Sequence, residues 1–495
     1  MYATRGFGLS EIGDVEVFPN GDELHLFHLT LPNHDVVQHL VSTDGLAWRL
    51  LPPALRTSDP GACDDDQIWT MSVTARDGRY YMLYTALAIA ERGRVQRTAL
   101  AISDDLITWT KSERNPVGEA DPRWYEADLQ ATGSVSWRDP KPVLAGDTYY
   151  AAVCAREKGG PLLRRGCVGL LTSTDLERWE PHPPLFAPRR YWDLECPQVF
   201  KIGDRWYLTA AIMEDRTQRY WIAPQVDGPY ETPADGGVLA PLGHYAGRVC
   251  RWRDLDLYCC WHEPRLVSRN AGVFPAVDWA TVTNPFGKYL PAPLVLVPRP
   301  DGSLARRAFP GWSAYLDGDL VPAQPMSLSL YHQRSAAESA WKVNAHGGRF
   351  DVLAAEAAMT DLWFEGTLSL RAAGGGLGIR LDEDGGGYFV TLRPGSREVL
   401  LHKWLPTRDQ HEGRPWFRYA ELQRGELRRP LPGDAPTRFR LLTVGPYVEL
   451  TLDDEVVLAA LSAERTSGRV GIWAESGEAR AVEVRIAAMR TPHHS

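Results

Sequence analysis

The stretch Gly203-Asp204-Arg205-Trp206-Tyr207-Leu208-Thr209-Ala210 decides the fold, because the chain repeats its plan four more times. A tight turn of Gly or Asp opens into an alternating, aromatic-rich strand. The same plan reads in Gly21-Asp22-Glu23-Leu24-His25-Leu26-Phe27-His28, in Asp77-Gly78-Arg79-Tyr80-Tyr81-Met82-Leu83-Tyr84, in Gly146-Asp147-Thr148-Tyr149-Tyr150-Ala151-Ala152-Val153 and in Arg253-Asp254-Leu255-Asp256-Leu257-Tyr258-Cys259-Cys260. The copies lie about 50 to 70 residues apart, the size of a four-stranded propeller blade with long loops. Alternation with period two marks strands, and no long helical periodicity competes with it. A second element follows three of the copies: Ser42-Thr43-Asp44 with Trp48, Ser103-Asp104-Asp105 with Trp109, and Ser173-Thr174-Asp175 with Trp179. Each is a Ser/Asp turn with a Trp at fixed offset. Three copies of one Trp suit the packing of each blade's outer turn better than a ligand site.

These repeats predict an all-β protein: a five-bladed β-propeller over residues 1–300, a Pro- and Gly-rich linker over 301–325, and a C-terminal β-sandwich over 326–495. The sandwich is read from short alternating strands such as Leu362–Leu370, Gly387–Leu392, Phe439–Val444, Tyr447–Leu452 and Gly468–Trp473. The runs Ala372–Gly376 and Gly385–Gly387 are expected to be flexible turns, since no helix follows either as a phosphate loop requires.

Eighteen Trp and nineteen Tyr suit strands and sugar-stacking surfaces, and a formal charge of -9 disfavours nucleic acid or an anionic membrane as partner. No apolar run approaches the roughly 20 residues of a membrane helix. The expected partner is a neutral carbohydrate. Met1–Phe7 has no basic-then-apolar leader, which gives the expectation of a cytoplasmic protein, or a secreted one if a leader has been removed. Seven Cys lack any C-x-x-C pair and are expected to be buried reduced thiols, with Cys259-Cys260 inside an apolar strand. No His/Cys/carboxylate set has metal spacing, so a metal-independent site without cofactor is expected.

Three carboxylates sit at strand ends in apolar company: Asp14 in Ile12-Gly13-Asp14-Val15, Asp139 in Trp137-Arg138-Asp139-Pro140, and Glu195 in Trp192-Asp193-Leu194-Glu195-Cys196-Pro197. Poor solvation raises a carboxyl pKa and suits it to proton donation near neutrality. Inner strands of successive blades converge on a propeller axis, so the three can meet in one funnel.

In these residues the chain resembles glycoside hydrolase family 32, the invertase, inulinase and levanase family. Trp137–Pro140 resembles its Arg-Asp-Pro motif and Glu195-Cys196-Pro197 its Glu-Cys motif. Ser42–Trp48 with Leu51–Leu55 is similar to its Ser-x-Asp-Leu-x-x-Trp stretch. Trp69-Thr70-Met71-Ser72 stands where the family has Phe-Ser-Gly-Ser, and Tyr245-Ala246 and Trp261 where it has Tyr-Ala and Gly-Trp. The first motif departs from the family's Asn-Asp-Pro-Asn-Gly, keeping only Asp14. The resemblance implies a retaining mechanism: Asp14 as nucleophile, Glu195 as acid/base about 5–5.5 Å away, and Asp139 holding ring hydroxyls. Arg138, Trp69, Thr70, Asp66, His28, Tyr245 and Trp261 are the implied substrate contacts. Glu16, on the same strand face as Asp14, is the competitor for its role. The implied function is hydrolysis of β-fructofuranosides. The altered first motif keeps open a fructosyltransferase, a furanosidase of another sugar or, on the same scaffold, a non-catalytic sugar-binding propeller. The sandwich is open to two roles, bordering the site and forming a homo-oligomer.

Overall fold

The computed structural model describes residues 11–262, 288–328, 341–408, 415–431, 433, 435–462 and 464–493. Five antiparallel sheets of the first 308 residues form the blades. Blade I runs through Glu11–Asn20, Glu23–Leu31, Val36–Ser42 and Arg49–Arg56; blade II through Gln67–Arg76, Arg79–Leu87, Arg97–Ser103 and Thr110–Lys111. Blade III is Trp137–Ala145, Thr148–Arg156, Gly166–Ser173 and Glu180–Phe186; blade IV is Leu194–Ile202, Arg205–Ile212 and Thr217–Ala223; blade V is His244–Trp252, Leu255–His262, Leu294–Pro298 and Leu304–Ala308. Every strand order is sequential, as in an up-and-down meander. The five repeated aromatic segments are the second strands of the five blades. They bury their alternate rings between neighbouring sheets, as with Tyr84, Tyr207 and Tyr258.

The three Ser/Asp turns join third to fourth strands. Asp44, Asp105 and Asp175 each accept two backbone N–H bonds, from Leu46 and Ala47, Ile107 and Thr108, and Glu177 and Arg178. Trp109 and Trp179 donate back to the carbonyls of Leu106 and Leu176, so these tryptophans close the turns.

Residues 301–325 are not a free linker. Leu304–Ala308 is the outermost strand of blade V, and Leu316–Pro322 pairs with Arg469–Met489 of the C-terminal unit. Short runs broken by charge, LARRA over 304–308 and LDGDLVP over 316–322, conceal these strands in the sequence. The C-terminal unit is a curled, sandwich-like sheet built on two long strands, Leu362–Leu381 and Arg469–Met489. The first pairs with Thr437–Val444 along residues 362–368 and with Gly387–Leu392 along 375–379, passing from one layer to the other. Ala372–Gly376 therefore lies inside a strand, which corrects the expectation of a turn. A Cβ at Gly375 would stand 2.9 Å from the Trp473 carbonyl oxygen, and one at Gly376 2.1 Å from that of Val390. Glycine lets the bent strand pass between its neighbours. Gly385–Gly387 does turn the chain, with Gly385 at φ +77°. The two units share one apolar core, in which Trp363, Leu442, Tyr447 and Met489 join Trp252, Leu257 and Trp312. All seven cysteines are free, and Cys259 and Cys260 are buried.

Candidate active site

The innermost strand of each blade breaks its register once, near its start. The irregularities fall between Ile12 and Val15, Trp69 and Met71, Arg138 and Lys141, Glu195 and Gln198, and Tyr245 and Arg248. A bulge inserts an extra residue, bends the strand and re-aims side chains. Here five bulges turn Asp14, Thr70, Asp139, Glu195-Cys196 and Tyr245-Ala246 toward the axis. Asp139, Cys196 and Ala246 adopt φ of +63°, +47° and +50°, a region that costs non-glycine residues of order 1–3 kcal/mol and persists only where surroundings enforce it.

Donors from four blades converge on the carboxylates. Asp14 Oδ1 accepts from Trp261 Nε1 at 2.9 Å, and its Oδ2 accepts from the Thr70 hydroxyl and, at 3.4 Å, from the Cys196 thiol. Asp139 Oδ2 accepts from the Cys196 backbone N–H at 2.8 Å, while the Asp139 N–H donates to Thr85 Oγ1 at 2.9 Å. One oxygen each of Asp14 and Asp139 and the Cys196 sulfur lie within 4.8 Å of one another, although their sequence spacing announces no cluster. Glu195 Oε1 accepts from Arg138 Nη2 at 2.9 Å, and Oε2 accepts from the Tyr245 hydroxyl.

Burial raises the Glu195 carboxyl above the usual carboxylate range, opposed by the Arg138 guanidinium and the Tyr245 hydroxyl. Burial likewise raises Asp139, with Arg138 opposing and the Asp14 charge adding to the rise.

Arg138 is the hub. Its Nη2 bridges Glu195 and Asp193 Oδ2, both at 2.9 Å, and its Nε lies 3.6 Å from Asp139 Oδ2. Asp193 Oδ1 takes a second guanidinium, from Arg156 at 3.1 Å, and Arg156 stacks 3.2 Å from the Trp192 ring centroid. The roles of Asp193, Arg156 and Thr85 were not legible in the sequence. Asp193 stood inside the quoted motif, and its adjacency to Trp192 was the one available signal. Asp193→Asn removes the anion shared by two buried guanidiniums. Breaking such a pair costs about 3–5 kcal/mol, so the denaturant midpoint should fall well below that of the wild type.

The remaining expected contacts divide. Tyr245 and Trp261 pack at 5.3 Å and bond the two carboxylates. Thr70 bonds Asp14. Trp69 is half-buried beside the His34 ring at 5.4 Å, its Nε1 held by Gln67. Asp66 lies in the loop that opens blade II, its Oδ2 against Gly93. His28 is fully buried, bonded through Nδ1 to the Leu29 carbonyl, and burial lowers its pKa to about 4. It is a core histidine with no surface for a ligand, which corrects its assignment as a contact. Glu16 is also sealed, paired with Lys141 below the site, so it does not compete with Asp14. A separate groove of about 800 Å3 lies where the curled sheet meets blade V, lined by Arg307, Trp363 and Arg440.

The five-bladed propeller thus gathers Asp14, Asp139 and Glu195 at one end of its inner strands. Residues 17–228 match the profile of the Glycosyl hydrolases family 32 N-terminal domain. Asp139 and Glu195 fall inside the matched residues; Asp14 stands just before them. Over 206 residues the chain is 30% identical to an insoluble-isoenzyme beta-fructofuranosidase of Arabidopsis thaliana, a match covering 37% of this chain and 33% of that protein. The aligned region thus spans about a third of the curated relative's length. The fold is similar to fructan 1-exohydrolase IIa from Cichorium intybus (TM-score 0.68, 14% identity, 98% of this chain and 96% of that chain). It is also similar to an exo-inulinase from Aspergillus awamori (TM-score 0.69, 14% identity, 97% and 96%).

Proposed function

We propose that the chain is a retaining glycoside hydrolase of β-fructofuranosides, acting on sucrose, fructo-oligosaccharides or fructan. The single observation that carries this is the cluster of Asp14, with donors on both oxygens, and Asp139 around Cys196, the neighbour in sequence of Glu195, a carboxyl raised by burial. In this reading Asp14 attacks the anomeric carbon and forms a fructosyl ester. Glu195 protonates the leaving oxygen, then takes a proton from water as that water opens the ester. Asp139, held between Arg138 and the Cys196 N–H, accepts hydrogen bonds from the sugar hydroxyls and offsets oxocarbenium-like charge. Trp69 is the sugar platform, and Arg138 and Tyr245 tune Glu195. No metal or cofactor is invoked.

The test is a panel of sucrose, inulin, levan, an arabinofuranoside and a galactofuranoside. Fructose release by the wild type, absent in Asp14→Ala and Glu195→Ala, is expected. Turnover of the arabinoside or galactofuranoside alone would replace the sugar while keeping the chemistry. Tight sugar binding without turnover, unaltered in both variants, would make the propeller a binding module.

A further inference from the structure

Beneath the carboxylates lies a second polar layer. Two residues past each bulge, every inner strand places a buried polar side chain on the same face: Glu16, Ser72, Lys141, Gln198 and Arg248, one per blade. Side chains alternate across a strand, so i and i+2 share a face, and this ring is the floor of the chamber. Apolar residues would fill such a channel at lower desolvation cost. The ring is also wired to the layer above. Ser72 Oγ donates to the Pro140 carbonyl at 2.6 Å, and Gln198 exchanges bonds with the Val249 backbone at 2.7 and 2.8 Å.

Arg248 makes the connection that matters for the chemistry. It is fully buried. Its Nη1 donates to the carbonyl oxygens of Cys196 at 3.0 Å and Pro197 at 2.8 Å, and its Nη2 to that of Asp139 at 3.4 Å. Its Nε stands 3.7 Å from Glu16 Oε2, while Glu16 Oε1 takes the Lys141 ammonium and the Val73 N–H. The three carbonyls belong to the bulges of blades III and IV, where Asp139 and Cys196 hold left-handed backbone. Gly247, beside Arg248, makes room for the Tyr258 ring, which a Cβ there would meet at 2.2 Å.

We infer that Arg248 is a positioning residue of the active site: seated on Glu16, its guanidinium clamps the two bulges that carry Asp139 and Glu195 and fixes the distance between them. A planar fork holds three carbonyls with donors in fixed directions spread over two nitrogens; an ammonium offers its three donors from one freely rotating point. The inference rests on the proposed reaction, and it deepens it by assigning the geometry of two carboxylates to a fully buried side chain. Arg248 also lowers the Asp139 carboxyl, alongside Arg138, against burial and the Asp14 charge. Asp139 is faced as well by the Cys196 thiol and by Glu195, which Asp139 in turn raises.

The experiment compares Arg248→Lys and Arg248→Met with the wild type. A misplacement on the scale of 1 Å costs roughly 10²-fold in rate. Both variants should therefore lose kcat on that order, with KM held within a few-fold. The acid limb of the kcat profile should move to higher pH in Arg248→Met and return toward the wild-type position in Arg248→Lys, which restores the charge without the fork. A purely structural role would lower the melting temperature and leave kcat per folded molecule and the pH profile in place, and that result overturns the inference. If Arg248→Met does not fold, Arg248→Lys alone decides, and wild-type kcat in it is the overturning result. A crystal structure of Arg248→Lys decides without any substrate: the 2.8 Å bond from Cys196 N–H to Asp139 Oδ2 should lengthen or break, and its survival unchanged counts against the clamp. A wild type that releases no fructose removes the proposed reaction, and the crystal structure still judges the clamp.

Discussion

Asp14→Asn should abolish fructose release, with kcat reduced by at least about 10⁴-fold, because no covalent intermediate can form without the carboxylate. The substitution is nearly isosteric. Trp261 Nε1, at 2.9 Å from Oδ1, retains its acceptor if the amide oxygen turns toward it. The Thr70 hydroxyl, which now donates to Oδ2, would face the amide NH₂ and turn round to accept. The folded site should therefore survive, and KM for sucrose or an oligofructoside should change little. Steady-state kinetics with a melting curve on the same sample separates this outcome from unfolding. Residual activity above one per cent would remove Asp14 from the nucleophile's role, and the divergent first motif would need another carboxylate.

Glu195→Gln should cost about 10²–10⁴-fold, the range of general acid–base catalysis. Its signature lies in the pH profile. As the acid, Glu195 must be protonated, and burial raises its pKa, so wild-type activity persists above the ordinary carboxylate range and falls as pH rises through the raised value. Asp139 must be ionised, and burial raises it too, so activity also falls as pH drops through that value. A bell results. In Glu195→Gln the alkaline limb disappears and the acid limb remains. A good leaving group, such as a fructoside of an acidic phenol, should recover much of the loss in the first step. Loss of both limbs, or no recovery, would assign the proton donor elsewhere.

Much of this architecture was written in short-range pattern. The five aromatic strands and three Ser/Asp turns each satisfy themselves locally, by alternation and by side-chain caps, and so they could be read without a structure. The three carboxylates were legible for a similar reason, since each lies at a strand start beside a turn signal or a Pro. Long-range pairing escaped. Asp193 reads as a surface acid until Arg138 and Arg156 are brought to it from blade III, 55 and 37 residues away. Arg248 reads as a strand cation until the bulges of two other blades present their carbonyls. Ala372–Gly376 reads as a hinge because composition cannot distinguish a flexible glycine run from one squeezed between two strands. His28 was misread because alternation tells which face a strand residue takes, but not whether that face is sealed by the next blade.

The most direct test of the account is the anomeric configuration of the product formed in dilute methanol, followed by NMR from a β-fructofuranoside substrate. Two displacements at the same carbon, first by Asp14 and then by methanol activated by Glu195, predict methyl β-fructofuranoside as the first product. Methyl α-fructofuranoside as the first product would mean a single displacement, and would contradict the assignment of Asp14 and Glu195 as nucleophile and acid/base.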